Sequence, residues 1–592
     1  MAAHDLRSDG GAGMSATSTG SAQGAVRRLI VFVLLFVLVI IAAVGVGGLL
    51  DRALDVDRTL AGGGADELAL QLAFALIAGP LAALLWWGAW RRLGEPDERG
   101  SIAWPLYLAA MSTVSLIVAT TSIAGGITSL IDGRPDPAGL ATGVVWALVW
   151  LWHRWMLRHP GKGPTRLSTV PLVIGAAYGL VVGASGAFAA LAAVFDAAIL
   201  GASETVLVGR DSWAQAAMDS LVWAAVGLAV WWWHWVRDGV RRVPTGFAAV
   251  ALVVVGVLGG GAAMLGGIGT VVFVGLRLAF DPSEPASAIL IPLGAAIAAA
   301  SVGALVWLLH SRIAAAHSDR TRRAAVLVMS GIGLIGAASG IGVVVNALLA
   351  ELSSPLAASG NRALLLGGLS AIVVGGPIWW INWRPTRRPD PAEAVEVGRR
   401  VYLVAVFGAS AVVAIITLLV LGYRVFEFVL DPGTGFALVD RIRAPLGLLV
   451  ATALVFAYHF AVWRRDRAMM SQAGVSPARR IGRVVLVASG DTDAAERAIA
   501  AATGARVDVW RRVAGRIDLG AETGTGTEAE TGAGTEAEAG TGTGTEAGTE
   551  ADAVPTGPDA AAVVAALEDV TAARVLVLVG PGGRVEAVPL AD

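Results

Sequence analysis

The residues best suited to chemistry form a column of imidazoles. The segments ALVWLWHRW, LAVWWWHWV, ALVWLLHSR, GPIWWINWR and LVFAYHFAVW align so that His153, His234, His310, Asn382 and His459 share one position. Three residues before each stands an aromatic, namely Trp150, Trp231, Trp307, Trp379 and Phe456. Imidazole changes charge near neutral pH and ligates zinc or copper, so converging copies would make a protonation or metal site. Metal ligands usually come paired at close spacing on one helix or loop, whereas these lie a whole repeat apart. Positions i and i+3 of a helix share a face, and each pair sits one or two turns before a group of arginines. The reading adopted is an interfacial motif, an aromatic belt with a polar tip, with no catalytic, cofactor-binding or metal-ligating residue assigned. One further segment, AALLWWGAW, departs from the pattern and places Leu85 and Gly88 at the two positions.

The surroundings of these motifs are apolar. Of 592 residues, 56% are hydrophobic and 15% charged, against about 25% charged in soluble domains. Cysteine is absent, which excludes disulfides, iron–sulfur clusters and thiol catalysis, and a net charge of −2 gives no field for nucleic acid. Lys162 is the sole lysine. Apolar runs long enough to cross a bilayer recur from Leu29 to Trp463, and the bilayer is the first partner expected. Crossings are predicted at 29–50, 68–90, 102–131, 139–157, 167–195, 214–236, 246–280, 286–311, 324–350, 363–383, 401–430 and 445–463. The fold expected is therefore an all-α polytopic membrane bundle of about twelve helices, arranged as six repeated hairpins of roughly seventy residues. Copies that each cross twice share one orientation, so these are parallel repeats.

The odd-numbered helices are rich in glycine and end near acids: Asp51, Asp132, Asp196, Asp281, Glu351 and Asp431. Turn residues at the outer interface account for these acids; a ring drawing cations to a pore is the sharper alternative. Glycines four apart, as in Gly175/Gly179/Gly183, Gly256/Gly260 and Gly336/Gly340, allow close helix approach. The odd helices are thus expected inside, with the Trp- and Leu-rich even helices toward lipid. Loops after even helices gather arginine (Arg91, Arg92, Arg99; Arg154, Arg158, Arg166; Arg237, Arg241, Arg242; Arg320, Arg322, Arg323; Arg384, Arg387, Arg388), whereas loops after odd helices hold scattered ones such as Arg134, Arg210 and Arg362. This bias places both termini and the even loops in the cytoplasm of a cell membrane.

Hairpins whose second helix ends in W-x-x-H-W-R-like sequence, and whose first begins with a basic pair and tyrosine as in RRVYL (Arg399 to Leu403), resemble the bacterial integral-membrane family called domain of unknown function 5671. The resemblance covers most of residues 26–468 as three four-helix copies in tandem. It implies a prokaryotic membrane protein and brings no activity and no catalytic residue.

Outside the bundle, residues 1–25 are Gly/Ser/Ala-rich and expected to be disordered. Residues 478–592 read as a small cytoplasmic α+β domain. RVVLVAS and RVDVWRRV are strands around a capped helix, DAAAVVAALEDVTA is a second helix, and RVLVLVGPGGRVEAVPL is two strands joined by a glycine turn. A Gly/Thr/Glu/Ala tract at about 520–557 interrupts it as a flexible insertion. ASGDTDAAERA has one glycine between strand and helix and lacks the P-loop lysine, so it is a poor phosphate loop. The function expected is a non-enzymatic membrane scaffold, sensor or interaction platform, without cofactor, that meets a protein partner through its C-terminal domain. The alternative is a transporter or channel with a pathway between the glycine-rich helices, to be recognised by a midplane cavity lined by polar residues such as Asn346, Thr120, Thr121 or Ser185.

Overall fold

A computed structural model describes residues 12–54, 64–201, 212–281, 283–353, 358–384, 396–431, 438–472, 481–511, 558–567, 570, 572–580 and 583–590. The flexible insertion expected at 520–557 and the first eleven residues fall outside these. The chain divides into two units, Met1–Arg465 and Asp466–Asp592.

The first unit consists of long helices: α1 (Ala12–Leu54), α2 (Ala65–Arg92), α3 (Ala103–Ile131), α4 (Pro137–Leu157), α5 (Val170–Leu200), α6 (Trp213–Arg237), α7 (Gly246–Phe280), α8 (Ala286–His317), α9 (Asp319–Ser353), α10 (Ala358–Trp383), α11 (Val397–Leu430) and α12 (Leu438–Gln472). Eleven of them are long and apolar enough to cross a membrane; α4 is outside that set because its tryptophans, His153 and Arg154 lower its hydropathy. The segment 1–25 singled out in the sequence overlaps α1, which begins at Ala12. Once a long apolar helix is nucleated, adding further residues to its end is inexpensive.

Each odd helix packs on the even helix of its own hairpin and on that of the next. α1 touches α2 and α4, α3 touches α4 and α6, α5 touches α6 and α8, and α7 touches α8 and α10. The glycines make this double contact possible. A Cβ on Gly179 of α5 would collide with the backbone nitrogen of Trp231 and lie 2.9 Å from the carbonyl oxygen of Gly227, both on α6. Gly260 stands in the same way 2.7 Å from the nitrogen of Trp307, and Gly333 2.5 Å from that of Trp379. Helix backbones meet here with almost no side chain between them, the packing that substitutes for hydrophobic drive within lipid. The last hairpin is joined through large rings, Phe407 of α11 meeting Phe456, Phe460 and Trp463 of α12 at 6.4, 5.8 and 5.5 Å between centroids.

The second unit is a four-stranded sheet ordered β2-β1-β3-β4, with β1 (Arg483–Ala488) parallel to β2 (Arg506–Arg511) and β3 (Arg574–Val579), and β4 (Val585–Leu590) antiparallel to β3. The helix α13 (Asp493–Thr503) joins β1 to β2 and ends on Gly504 in the left-handed region (φ 67°), as its sequence predicts. With α14 (Ala560–Ala565) it covers a core of Val484, Leu486, Ile499, Val563, Val575 and Val577.

Two helical glycines separate the effects of packing and propensity. Gly179→Ala should lower the melting temperature of the solubilised full chain by an amount equivalent to about 1–3 kcal/mol, because two backbones would have to part. Gly266→Ala, where a Cβ would meet nothing within 4 Å, should be neutral or raise stability by up to about 1 kcal/mol through helix propensity.

Candidate functional site

The histidine column is not an exposed belt. His153 and His459 are fully buried and His310 and His234 nearly so, at 0, 0, 1 and 3% exposure, while Asn382 is half-buried. Long apolar helices supply the cover, but the local cause is a bond each helix makes to itself. Nδ1 of His153 donates to the carbonyl oxygen of Val149 at 2.8 Å, that of His310 to Val306 at 2.7 Å, and that of His459 to Val455 at 2.9 Å. Asn382 does the same with its amide nitrogen, donating to Ile378 at 2.8 Å. Four residues back on a helix is one turn below, so the side chain folds against its own backbone. A neutral ring that donates from Nδ1 offers only a lone pair at Nε2.

What meets that lone pair differs between hairpins. In the second, the Tyr107 hydroxyl donates to Nε2 of His153 at 2.9 Å. In the third and fourth, glycine lies under the ring: a Cβ on Gly175 would be 2.6 Å from Nε2 of His234, and one on Gly256 2.6 Å from Cδ2 of His310. Among the described residues, Nε2 of His234, His310 and His459 has no hydrogen-bond partner, nor has the indole nitrogen of Trp231, Trp307 or Trp379.

Three of the aromatics that precede the column position, Trp150, Trp231 and Trp379, face the following hairpin. Trp150 lies edge-on to His234 at 6.0 Å between ring centroids, Trp231 is 6.2 Å from His310, and Trp379 is 6.5 Å from His459. The column is thus a series of junctions in which the indole of one hairpin rests on the imidazole of the next. The histidines do not converge, and among the described residues no three His, Cys, Asp or Glu side chains gather to hold a metal.

One junction carries charge, and it was not singled out in the sequence. The last turn of α6, Trp233–Arg237, is a wide π-turn that directs His234 away from its own backbone. Its Nδ1 pairs with Oδ2 of Asp238 at 2.9 Å. Arg154 of α4 grips the same carboxylate with both terminal nitrogens, at 2.7 and 2.5 Å, and Arg158 adds a third contact at 2.5 Å. The Arg154 guanidinium also lies 5.4 Å from the ring centres of both Trp150 and Trp233. Burial alone would raise the carboxyl pKa of Asp238, but hydrogen bonds from His234 and Arg154 and the Arg154 charge outweigh it and hold it well below the usual range. The available signal was the acid four residues after a column histidine, which no other column histidine has. Arg154 and Arg158 read instead as orientation markers, and a histidine four residues from an acid is a common helical spacing.

The acids at the ends of the odd helices do not gather into one ring, and two of them are bound close to their own turns. Asp132 and Asp281 cap α3 and α7. Asp132 pairs with Arg134 at 3.3 Å and accepts from Gln215. Asp281 bonds the Ser283 hydroxyl and Arg277; that hydroxyl bond, then the arginine, outweighs burial and lowers its carboxyl pKa. Asp431 caps α11, Asp196 packs beside Gly294, Asp51 is buried and Glu351 is exposed. They are spread along the hairpins as turn and packing residues.

Polar side chains suggested for a pathway are likewise scattered. Thr120 and Thr121 bond their own helix, at Leu116 and Ile117, and Thr120 also meets the Tyr178 hydroxyl at 2.8 Å. Asn346 accepts from Arg443 at 3.2 Å. Three cavities recur in one place, between two successive odd helices and the even helix of the second. They measure about 370 Å³ at α5/α7/α8, 470 Å³ at α7/α9/α10 and 660 Å³ at α9/α11/α12. Their walls are almost entirely Leu, Val, Ile, Ala and Gly; Ser185 touches the first and Ser339, Asn346, Ser410 and Thr452 the last.

Two stretches, residues 28–151 and 323–454, match the family model of the domain of unknown function 5671. No curated protein matches the chain, and no solved structure does. The matches take in α1–α4 and α9–α12 and leave out α5–α8, which the resemblance counted as a third copy. Two features set the matched stretches apart. In each, arginine at the start of the first helix pairs with a glutamate just before the third, Arg28 with Glu98 at 3.0 Å and Arg323 with Glu396 at 2.7 Å. In each, a tyrosine of the third helix meets the column histidine, Tyr107 with His153 and Tyr402 with His459, at 5.5 and 6.2 Å between centroids. The middle helices keep the glycine and Trp–His packing and have glycine under the imidazole instead.

Replacing Asp238 by alanine leaves Arg154 buried without its counterion and should cost about 3–5 kcal/mol, read as a fall in the melting temperature of the solubilised protein. A depressed carboxylate contributes stability that is complete above its unfolded pKa, about 4, and is lost as pH falls through the folded value. Wild type should therefore lose melting temperature below about pH 4 more steeply than the variant. His310→Leu removes a ring whose Nε2 has no partner and should change stability by less than about 1 kcal/mol.

Proposed function

We propose that this bundle is a non-enzymatic scaffold or interaction platform of the cell membrane, which holds its small α+β domain on the cytoplasmic side for a protein partner. The observation that carries the reading is the use to which polar groups are put. The column histidines and Asn382 are bound to neighbouring turns of their own helices, Asp238 to two arginines, and Asp132 and Asp281 to arginines close to their own turns. Groups committed to holding helices together are poorly placed to bind and release a substrate. Aliphatic cavity walls suit lipid chains better than water. The arginine bias of the even loops supports placing those loops and both termini in the cytoplasm.

A transporter is the second reading, and the 660 Å³ cavity with Asn346 and three hydroxyls on its wall is what favours it. Because the chain has no cysteine, single introduced thiols decide between the two. With a membrane-impermeant maleimide, Gly161→Cys should react only from the cytoplasmic side and Arg134→Cys only from outside. Ser339→Cys and Ser410→Cys should react from neither. Labelling of both cavity positions from the two sides would replace the scaffold with a transport pathway, and reaction of Gly161→Cys from outside would invert the orientation.

A further inference from the structure

The first hairpin departs from the column, and a pocket opens where it does. Gly88 stands where the later hairpins carry histidine or asparagine, and a Cβ there would meet nothing within 4 Å. The space belongs to a groove of about 370 Å³ between α1 and α2. Its walls are Phe32, Leu38, Leu81 and Leu84, and Leu84 is 64% exposed, so the groove opens sideways on the face that a membrane-spanning helix turns to lipid. Its polar end is built from Arg27, Arg28, Arg92 and Glu98.

Glu98 is buried and takes Arg27 and Arg28 at 3.3 and 3.0 Å, which fixes two guanidiniums over the end of the groove. Arg92 has no ion pair among the described residues; its neighbour Arg91 instead lies over the Trp87 ring at 4.2 Å. Three cations against one carboxylate leave two positive charges at the mouth of an apolar slot. Arg27 and Leu38 are eleven residues apart on one helix, about 16 Å of rise, which is about one leaflet of a hydrocarbon core near 30 Å thick.

We propose that this groove binds an anionic diacyl phospholipid, its phosphate on Arg27, Arg28 and Arg92 and an acyl chain along α1 and α2 past Gly88. A soluble phosphate would meet the arginines but leave the slot empty, and a zwitterionic lipid would fill the slot without balancing the charge. Basic pockets at the ends of membrane helices select anionic headgroups for this reason. The inference requires that α1 and α2 lie in a bilayer and is independent of whether the protein is a scaffold or a transporter.

The test is native mass spectrometry of the full-length protein in detergent, titrated with phosphatidylglycerol, phosphatidylcholine and glycerol 3-phosphate. Phosphatidylglycerol should be retained several-fold more tightly than phosphatidylcholine, with no measurable competition from glycerol 3-phosphate. Arg27→Gln and Arg92→Gln should each weaken phosphatidylglycerol about fivefold, as expected for ~1 kcal/mol per basic residue near a membrane surface, and leave phosphatidylcholine unchanged. Gly88→Leu should weaken both lipids by filling the slot, and Arg320→Gln, on another loop, should alter neither. An unchanged melting temperature keeps the variants comparable. Equal retention of the two lipids by wild type, undiminished phosphatidylglycerol binding by Arg27→Gln and Arg92→Gln, or displacement by glycerol 3-phosphate would each overturn the proposal.

Discussion

Everything in the bundle depends on one constraint, that a polar group carried into hydrocarbon must find its partner within the protein. An unsatisfied group there costs several kcal/mol, and no water is at hand to replace the lost bond. The column histidines and Asn382 show how a helix meets this locally. A ring that donates to the carbonyl one turn below brings its own solution with it, so it can be buried before any other helix arrives. This leaves one face of the imidazole apolar enough to pack, and the preceding hairpin supplies an indole for it. His234 is the exception that clarifies the rule: a wide turn takes it off its own backbone, and an acid and two arginines are recruited in place of a carbonyl.

Close packing answers the same constraint from the other side. Lipid tails are as apolar as leucine, so helices gain little by exchanging lipid for leucine contacts; they gain by bringing backbones together where tails cannot follow. Gly179, Gly260 and Gly333 occur once per hairpin and face the backbone nitrogen of Trp231, Trp307 and Trp379. Those tryptophans are the aromatics of the column. The glycine of the odd helix therefore sets how deep the indole sits, and the indole sets where the next hairpin's imidazole can rest. Between α11 and α12 rings stand in place of the glycine contact, and a cavity of about 660 Å³ lies beside them.

Much of this was legible in the sequence because it is periodic. Helix positions, hairpin pairing and the strands of the second unit follow from apolar run lengths, recurring glycines and turn residues, and most helix ends fall within a few residues of expectation. The burial of the histidines was not legible. A Trp and a His three residues apart near arginines look the same whether the ring turns outward to headgroups or folds back on Val149, Val306 or Val455; the difference is a side-chain torsion and the identity of the neighbouring helix. Asp238 was hidden for a related reason. Its partner Arg154 is 84 residues away, and the arginine-rich loops after the even helices conceal any one arginine bent inward to a carboxylate. The tyrosines Tyr107 and Tyr402 were partly visible, since RRVYL helped to suggest the family, but only packing relates them to the histidines.

Hairpins with similar apolar faces raise a problem of order, and the ion pairs near the arginine-rich helix ends answer it. Any odd helix with its glycine row could accept any even helix, because small residues against backbone carry little information. Charged pairs do carry it, since a mismatched neighbour would leave a buried carboxylate or guanidinium unpaired, at a cost far above the value of the pair itself. The pairs lie where hairpins must be told apart: Arg28 with Glu98 joins the first to the second, Arg154 and Arg158 with Asp238 join the second to the third, and Arg323 with Glu396 joins the fifth to the sixth. The first and last of these stand at equivalent places in the two stretches that match the family model, so they order hairpins within each stretch. The Asp238 cluster stands between the first stretch and the unmatched middle helices. Its three-way grip on one buried carboxylate fits that position, because a junction between different four-helix groups has no internal copy to supply its register.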